Sequence, residues 1–89
     1  MKAVITVLGK DKVGIIASVS GLCHRHRVNI IDIMQKVMDD TFAMIMMVDL
    51  TDAKISFEDF SLQLASEGET LGMVVRVFHE DLFNAMHRI

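Results

Sequence analysis

Six residues near the start of the chain, Gly9-Lys10-Asp11-Lys12-Val13-Gly14, combine the parts of a small-anion site. Gly9 permits a tight turn, Asp11 is placed to cap a following helix, and Gly14 lets another backbone or a ligand approach closely. Free amides at a helix start favour a carboxylate or a similar anion. The same residues also make a plain capped turn, and their spacing matches neither the phosphate-loop nor the dinucleotide-binding pattern. Asn29 interrupts an apolar run. Its amide can donate to and accept from an amino acid's carboxylate and amine, or it can bond to local backbone.

The remaining polar groups point to less chemistry. His24 and His26 are two residues apart, which turns their rings to different faces of a helix, whereas chelation wants a spacing of three or four. Cations there suit a helix C-terminus. His79 and His87 are too far apart on a short helix to add a metal site. Cys23 lies on an apolar stripe and reads as a buried, inert thiol. Asp32 breaks an apolar strand, so an edge position or a partner such as Lys36 or Arg76 is expected. No nucleophile–base pair or metal set is visible, so no catalytic role and no cofactor are expected.

The elements that position these residues follow from periodicity. Lys2 to Leu8 is a β-branched apolar run, a buried strand ending at the Gly9–Lys12 turn. Val13 to Arg27 has helical spacing, with Val13, Ile16, Ala17, Ser20 and Cys23 on one stripe and Ile15, Val19 and Leu22 on the next. Gly14 and Gly21 each weaken that helix by about 1 kcal/mol relative to alanine, which suggests close packing at both points. Val28 to Met38 and Phe42 to Leu50 read as a hairpin joined by Asp39-Asp40-Thr41. Ser56 caps a second helix with inward Phe57, Phe60 and Leu64, stopped by Gly68. Leu71 to Phe78 is a fourth strand, and His79 to Arg88 a short amphipathic helix. With right-handed crossovers this order predicts an α+β, ferredoxin-like βαββαβ fold. Its four-stranded antiparallel sheet carries two helices on one face, plus a short C-terminal helix. The whole of 1–89 reads as one domain, with a core at 2–78 and an extension at 79–89.

Composition narrows the function. In 89 residues, 52% are hydrophobic and 24% charged, with mean hydropathy +0.41. That excludes a disordered chain. No apolar run reaches the roughly 18 residues of a membrane span, and no secretory leader pattern is seen. Net charge is −3 and there is no Trp or Tyr, so neither an anionic membrane nor nucleic acid is an expected partner. One cysteine allows no intrachain disulfide, so a reducing, cytoplasmic setting is the default. Two strands are apolar on both faces, yet helices cover only one. A second copy of the chain is the economical cover, giving a homodimer or a higher homo-oligomer. Eight methionines, mostly in strands, fit either core filling or an adaptable contact surface.

Gly9-x-Asp11-x-x-Gly14-Ile15, followed at helix length by Val28-Asn29-Ile30, resembles the ACT domain. The resemblance covers about residues 2–78. It is closest to stand-alone bacterial ACT proteins of one domain, whose opening and Phe83-Asn84-Ala85-Met86-like ending are similar. It implies a regulatory module that binds a small molecule, often an amino acid, between paired copies. Position by position, the loop contacts would come from Gly9, Lys10, Asp11 and Gly14, and Asn29 would reach the ligand across the pair. Some serine-binding relatives carry His at the position of Gly9, and many carry Pro where this chain has Val13. The alternative is an interaction module that uses its apolar sheet face without a ligand. An acylphosphatase-like enzyme of the same element order would need an arginine between Gly9 and Gly14, where there is none.

Overall fold

A computed structural model describes residues 1–10 and 14–86. Lys2–Lys10 form β1, Ile15–Arg25 α1, Asn29–Met38 β2, Thr41–Asp49 β3, Phe57–Leu71 α2, Met73–His79 β4 and Glu80–Met86 α3. The sheet order is β2-β3-β1-β4 and each neighbouring pair is antiparallel. This is the expected ferredoxin-like plan, with the additional C-terminal helix.

Alternation along the strands sorts the side chains. Ile5 stands opposite Met46, and Val7 opposite Met44 and Val75, so these residues share one face. On that face α1 lays Ile15, Val19, Leu22 and Cys23, and α2 lays Phe60 and Leu64, all buried. Burying each such large side chain stabilises the fold by about 1.5–3 kcal/mol. Ser56 caps α2, its Oγ accepting from the Asp59 amide at 3.1 Å, and Glu58 and Asp59 favour the helix start.

Four expectations need correcting. Gly9 and Lys10 are not in a turn: they extend β1 and stand opposite Phe42 and Thr41. The cap of α1 is Gly14, at φ 90 with no side-chain hydrogen bond, and not Asp11, which lies outside the described residues. The stripe of Ile15, Val19 and Leu22 is buried, while on the other Cys23 is buried but Ile16 and Ala17 face solvent, and among the described residues a Cβ on Gly14 or Gly21 would meet nothing within 4 Å. Gly68 does not end α2. A Cβ there would lie 2.6 Å from Val75 Cγ2 and 2.9 Å from the Met73 carbonyl oxygen, so this glycine lets helix and strand touch. The stop is Gly72, in the left-handed region at φ 72.

The second face is apolar, with Leu8, Ile45 and Val74 exposed. It is not wholly bare. α3 contacts β1 and β4, and the Phe83 ring packs on Phe78 with centroids 6.3 Å apart. Val4, opposite Phe78 on that side, is fully buried. Asp32 takes the edge position that was one of its expected explanations, and Arg76 lies on the opposite edge strand, out of its reach. Asp32 Oδ1 instead accepts from the Ile33 amide at 2.9 Å.

Candidate functional site

The strand register divides the expected site residues between two ends of the sheet. Gly9, Lys10 and Gly14 lie at the end that carries the Asp39-Asp40 turn, because Lys10 and Met38 both stand opposite Thr41. Asn29 lies at the other end, opposite Asp49, which in turn faces Lys2. The seven residue steps from Lys2 to Gly9 span about 23 Å. Within one chain, therefore, Asn29 and the loop cannot touch one small ligand.

At the loop end, packing already explains Gly9. A Cβ there would lie 2.6 Å from Met73 Sδ, so the neighbouring strand occupies that space. Lys10 is ion-paired to Asp40, both exposed, which ties the end of β1 to the hairpin turn. Exposed pairs of this kind stabilise little, but they restrict where the ammonium sits. Gly14 is the N-cap of α1 at φ 90, and among the described residues nothing lies within 4 Å of a Cβ placed on it. Amides at a helix start suit a small anion.

At the other end, a groove is lined by His24, Arg27, Val28, Asn29 and Asp52. Its shape comes from how α1 stops. Arg27 takes the left-handed region at φ 59, unusual for a residue with a Cβ. The Val28 amide then donates to the Cys23 carbonyl at 2.8 Å. The Lys54 amide donates to the His26 carbonyl at 2.9 Å, and His26 Nε2 lies 2.8 Å from Gln63 Oε1. Thr51, Asp52 and Lys54 flank a second hollow that shares Arg27. Sequence reading missed this loop, because neither an Arg at φ > 0 nor a helix stop without glycine has a composition signal. Asp49 closes this end of the sheet. Its carboxyl is held below the usual value, first by the Thr51 hydroxyl at 2.6 Å and then by the Thr51 amide.

Cys23 is buried, and desolvation pushes its thiol up to about 11, so it is no nucleophile at neutral pH. Among the described residues no group of three or more His, Cys, Asp or Glu is placed to hold a metal. None of the helices is long and apolar enough to cross a membrane.

A sequence profile described as the ACT domain matches residues 2–78. The chain belongs to the ACT domain family. Relatives occur in bacteria and archaea. A UPF0237 protein of Clostridium acetobutylicum is 45% identical over 89 residues, covering 100% of both chains. One from Methanocaldococcus jannaschii is 46% identical over 88 residues, covering 99% of this chain and 98% of its own. Among solved structures, an ACT domain protein from Streptococcus pneumoniae is 40% identical, with a TM-score of 0.81 and 98% of each chain covered. ACT domains are in general regulatory modules for small ligands and commonly oligomerise.

Proposed function

We propose that this ACT domain is a non-catalytic regulatory module that binds a small carboxylate, an amino acid, at a homodimer interface in the cytoplasm. The contacts come from Gly9, Lys10, Asp11 and Gly14 of one protomer and from Asn29 of the other. The observation that carries this reading is the separation just described. Gly9 and Asn29 stand at opposite ends of the sheet, about 23 Å apart along the strands of one chain, so a second copy is needed to bring them to one ligand. The whole chain 1–89 acts as one domain, with α3 shielding one corner of the second sheet face.

The test is a thermal-shift screen of the free amino acids. A ligand at a hundred times its Kd stabilises the fold by about 2.7 kcal/mol, several degrees in Tm for a domain this small. Asn29→Ala should remove the shift without lowering the unliganded Tm, since the Asn29 side chain is exposed. No response to any amino acid at millimolar concentration sinks the proposal.

A second reading is favoured by Leu8, Ile45 and Val74, which stay exposed on the second face. In that reading the chain is an interaction module that docks this face on protein and uses no ligand. A dimer unresponsive to every amino acid favours it.

A further inference from the structure

His24-Arg25-His26-Arg27 puts four basic side chains in a row where α1 gives way to β2, and the function proposed above uses none of them. Arg27 is the costliest of the four to place. It holds the left-handed region at φ 59, where a residue with a Cβ is uncommon and a glycine sits without strain. Asp39, at φ 55, is a hairpin-turn residue of a type that tolerates this backbone. Glycine at position 27 would make the same turn at lower cost. What arginine adds is a guanidinium, and strain of this kind clusters at ligand clamps.

Two loops meet at that point. The Lys54 amide donates to the His26 carbonyl at 2.9 Å, the Val28 amide to the Cys23 carbonyl at 2.8 Å, and the Ala53 amide to the Leu50 carbonyl at 3.1 Å. Backbone thus pins the α1–β2 turn to the β3–α2 loop. Arg27 from the first and Lys54 from the second line one hollow of about 330 Å³, together with Thr51, Asp52 and Ala53. His24 lines the adjoining groove, which shares Arg27 and Asp52. The Thr51 hydroxyl is already engaged, donating to Asp49 Oδ1 at 2.6 Å. Among the described residues no ion pair includes Arg27, Lys54 or Asp52, although all three border the same space. Two cations and one carboxylate leave this hollow positive in a chain whose net charge is −3.

The pair of cations selects the class of anion. A planar carboxylate is satisfied by the flat guanidinium fork alone. A tetrahedral phosphate can take the fork on two oxygens and an ammonium, a compact point charge, on a third. The hollow is roomier than a bare phosphate, so a small group can accompany it. We infer that Arg27 and Lys54 form a binding site for the phosphate of a small phosphate monoester, with His24 beside it. The site lies within one chain and is independent of the amino-acid reading. Asp52 opposes the phosphate through its like charge and keeps the affinity low.

The test is a residue-resolved NMR titration of the whole chain with inorganic phosphate and with glycerol phosphate, at constant ionic strength and with acetate as control. Saturable amide shifts should gather at residues 27–28 and 51–54. Arg27→Gly should weaken binding roughly tenfold or more, with the unliganded Tm at or above that of the native chain because the turn is relieved. Lys54→Ala keeps the backbone bond to His26 and should weaken binding several-fold. Asp52→Asn should tighten it roughly fivefold, by removing a like charge. Shifts that centre on the start of α1, or that follow ionic strength alone, overturn the site. So does an Arg27→Gly variant of undiminished affinity. Acetate binding as tightly as phosphate overturns the ligand class. Weaker binding on Asp52→Asn overturns it too, because only a ligand with a cation of its own needs that carboxylate.

Discussion

β2 and β3 are hairpin partners of ten and nine residues, both rich in Ile, Met and Val, and their fates are opposite. Each second residue of β3 is buried, whereas β2 buries none. Ile33 and Met46 are register partners, yet Ile33 is 41% exposed and Met46 0%. The difference is position. β3 lies between two strands with every second side chain in the core, while β2 is an edge strand that α1 touches and that packs on the core through Ile30. Apolar pattern therefore states that a strand will be covered, and topology decides whether its own chain covers it.

The largest expected effect tests that contrast directly. Met46→Ala should cost about 2–5 kcal/mol in urea unfolding. Ile33→Ala in dilute protein should cost under about 0.5 kcal/mol, as a surface substitution does. Equal losses would break the comparison. Gly68→Ala probes the covered side from the helix: its methyl meets the Met73 carbonyl oxygen as well as Val75, so a loss of about 1–3 kcal/mol is expected. Ser56→Ala, which removes the α2 cap, should cost about 1 kcal/mol by the same measurement. Hydrogen exchange sharpens the contrast without mutation: the amides on the outer row of edge strand β2 should exchange faster than those of β3, which is paired on both sides. The smallest effect concerns Asp49, where β3 ends. Its carboxyl titrates below 3.8 when folded, so its contribution is present above that value and lost as pH falls through the lower folded one. Asp49→Asn should flatten the acid limb of the stability–pH curve slightly.

Much of this was readable in advance, for physical reasons that differ by element. The hairpin Val28–Met38 and Phe42–Leu50 was legible, but β3 is apolar at odd and even positions, so which face is buried, that of Phe42, Met44, Met46 and Val48, came only from the helices lying on one side. Ser56 with acidic residues behind it announced α2. Glycines misled twice: Gly68 looked like a stop and is a contact point, while Gly21 looked like a contact point and has nothing within 4 Å among the described residues. A glycine marks freedom or proximity, and only neighbours distant in sequence decide which. The candidate ligand contacts rest on residue type and resemblance, whereas the division of Gly9, Lys10 and Gly14 from Asn29 between two sheet ends follows from strand direction. The Arg27 turn had no signal at all, since its left-handed backbone is imposed by the hydrogen bonds around it.

Cys23 makes the chain its own stopwatch. The thiol is sealed under α1 and held protonated, so a thiol reagent reacts only when that helix lifts and the group regains an ordinary acidity. With one cysteine in the sequence, the labelling rate reads the opening free energy of a single element without an introduced probe. A ligand that settles before α1 should slow that clock.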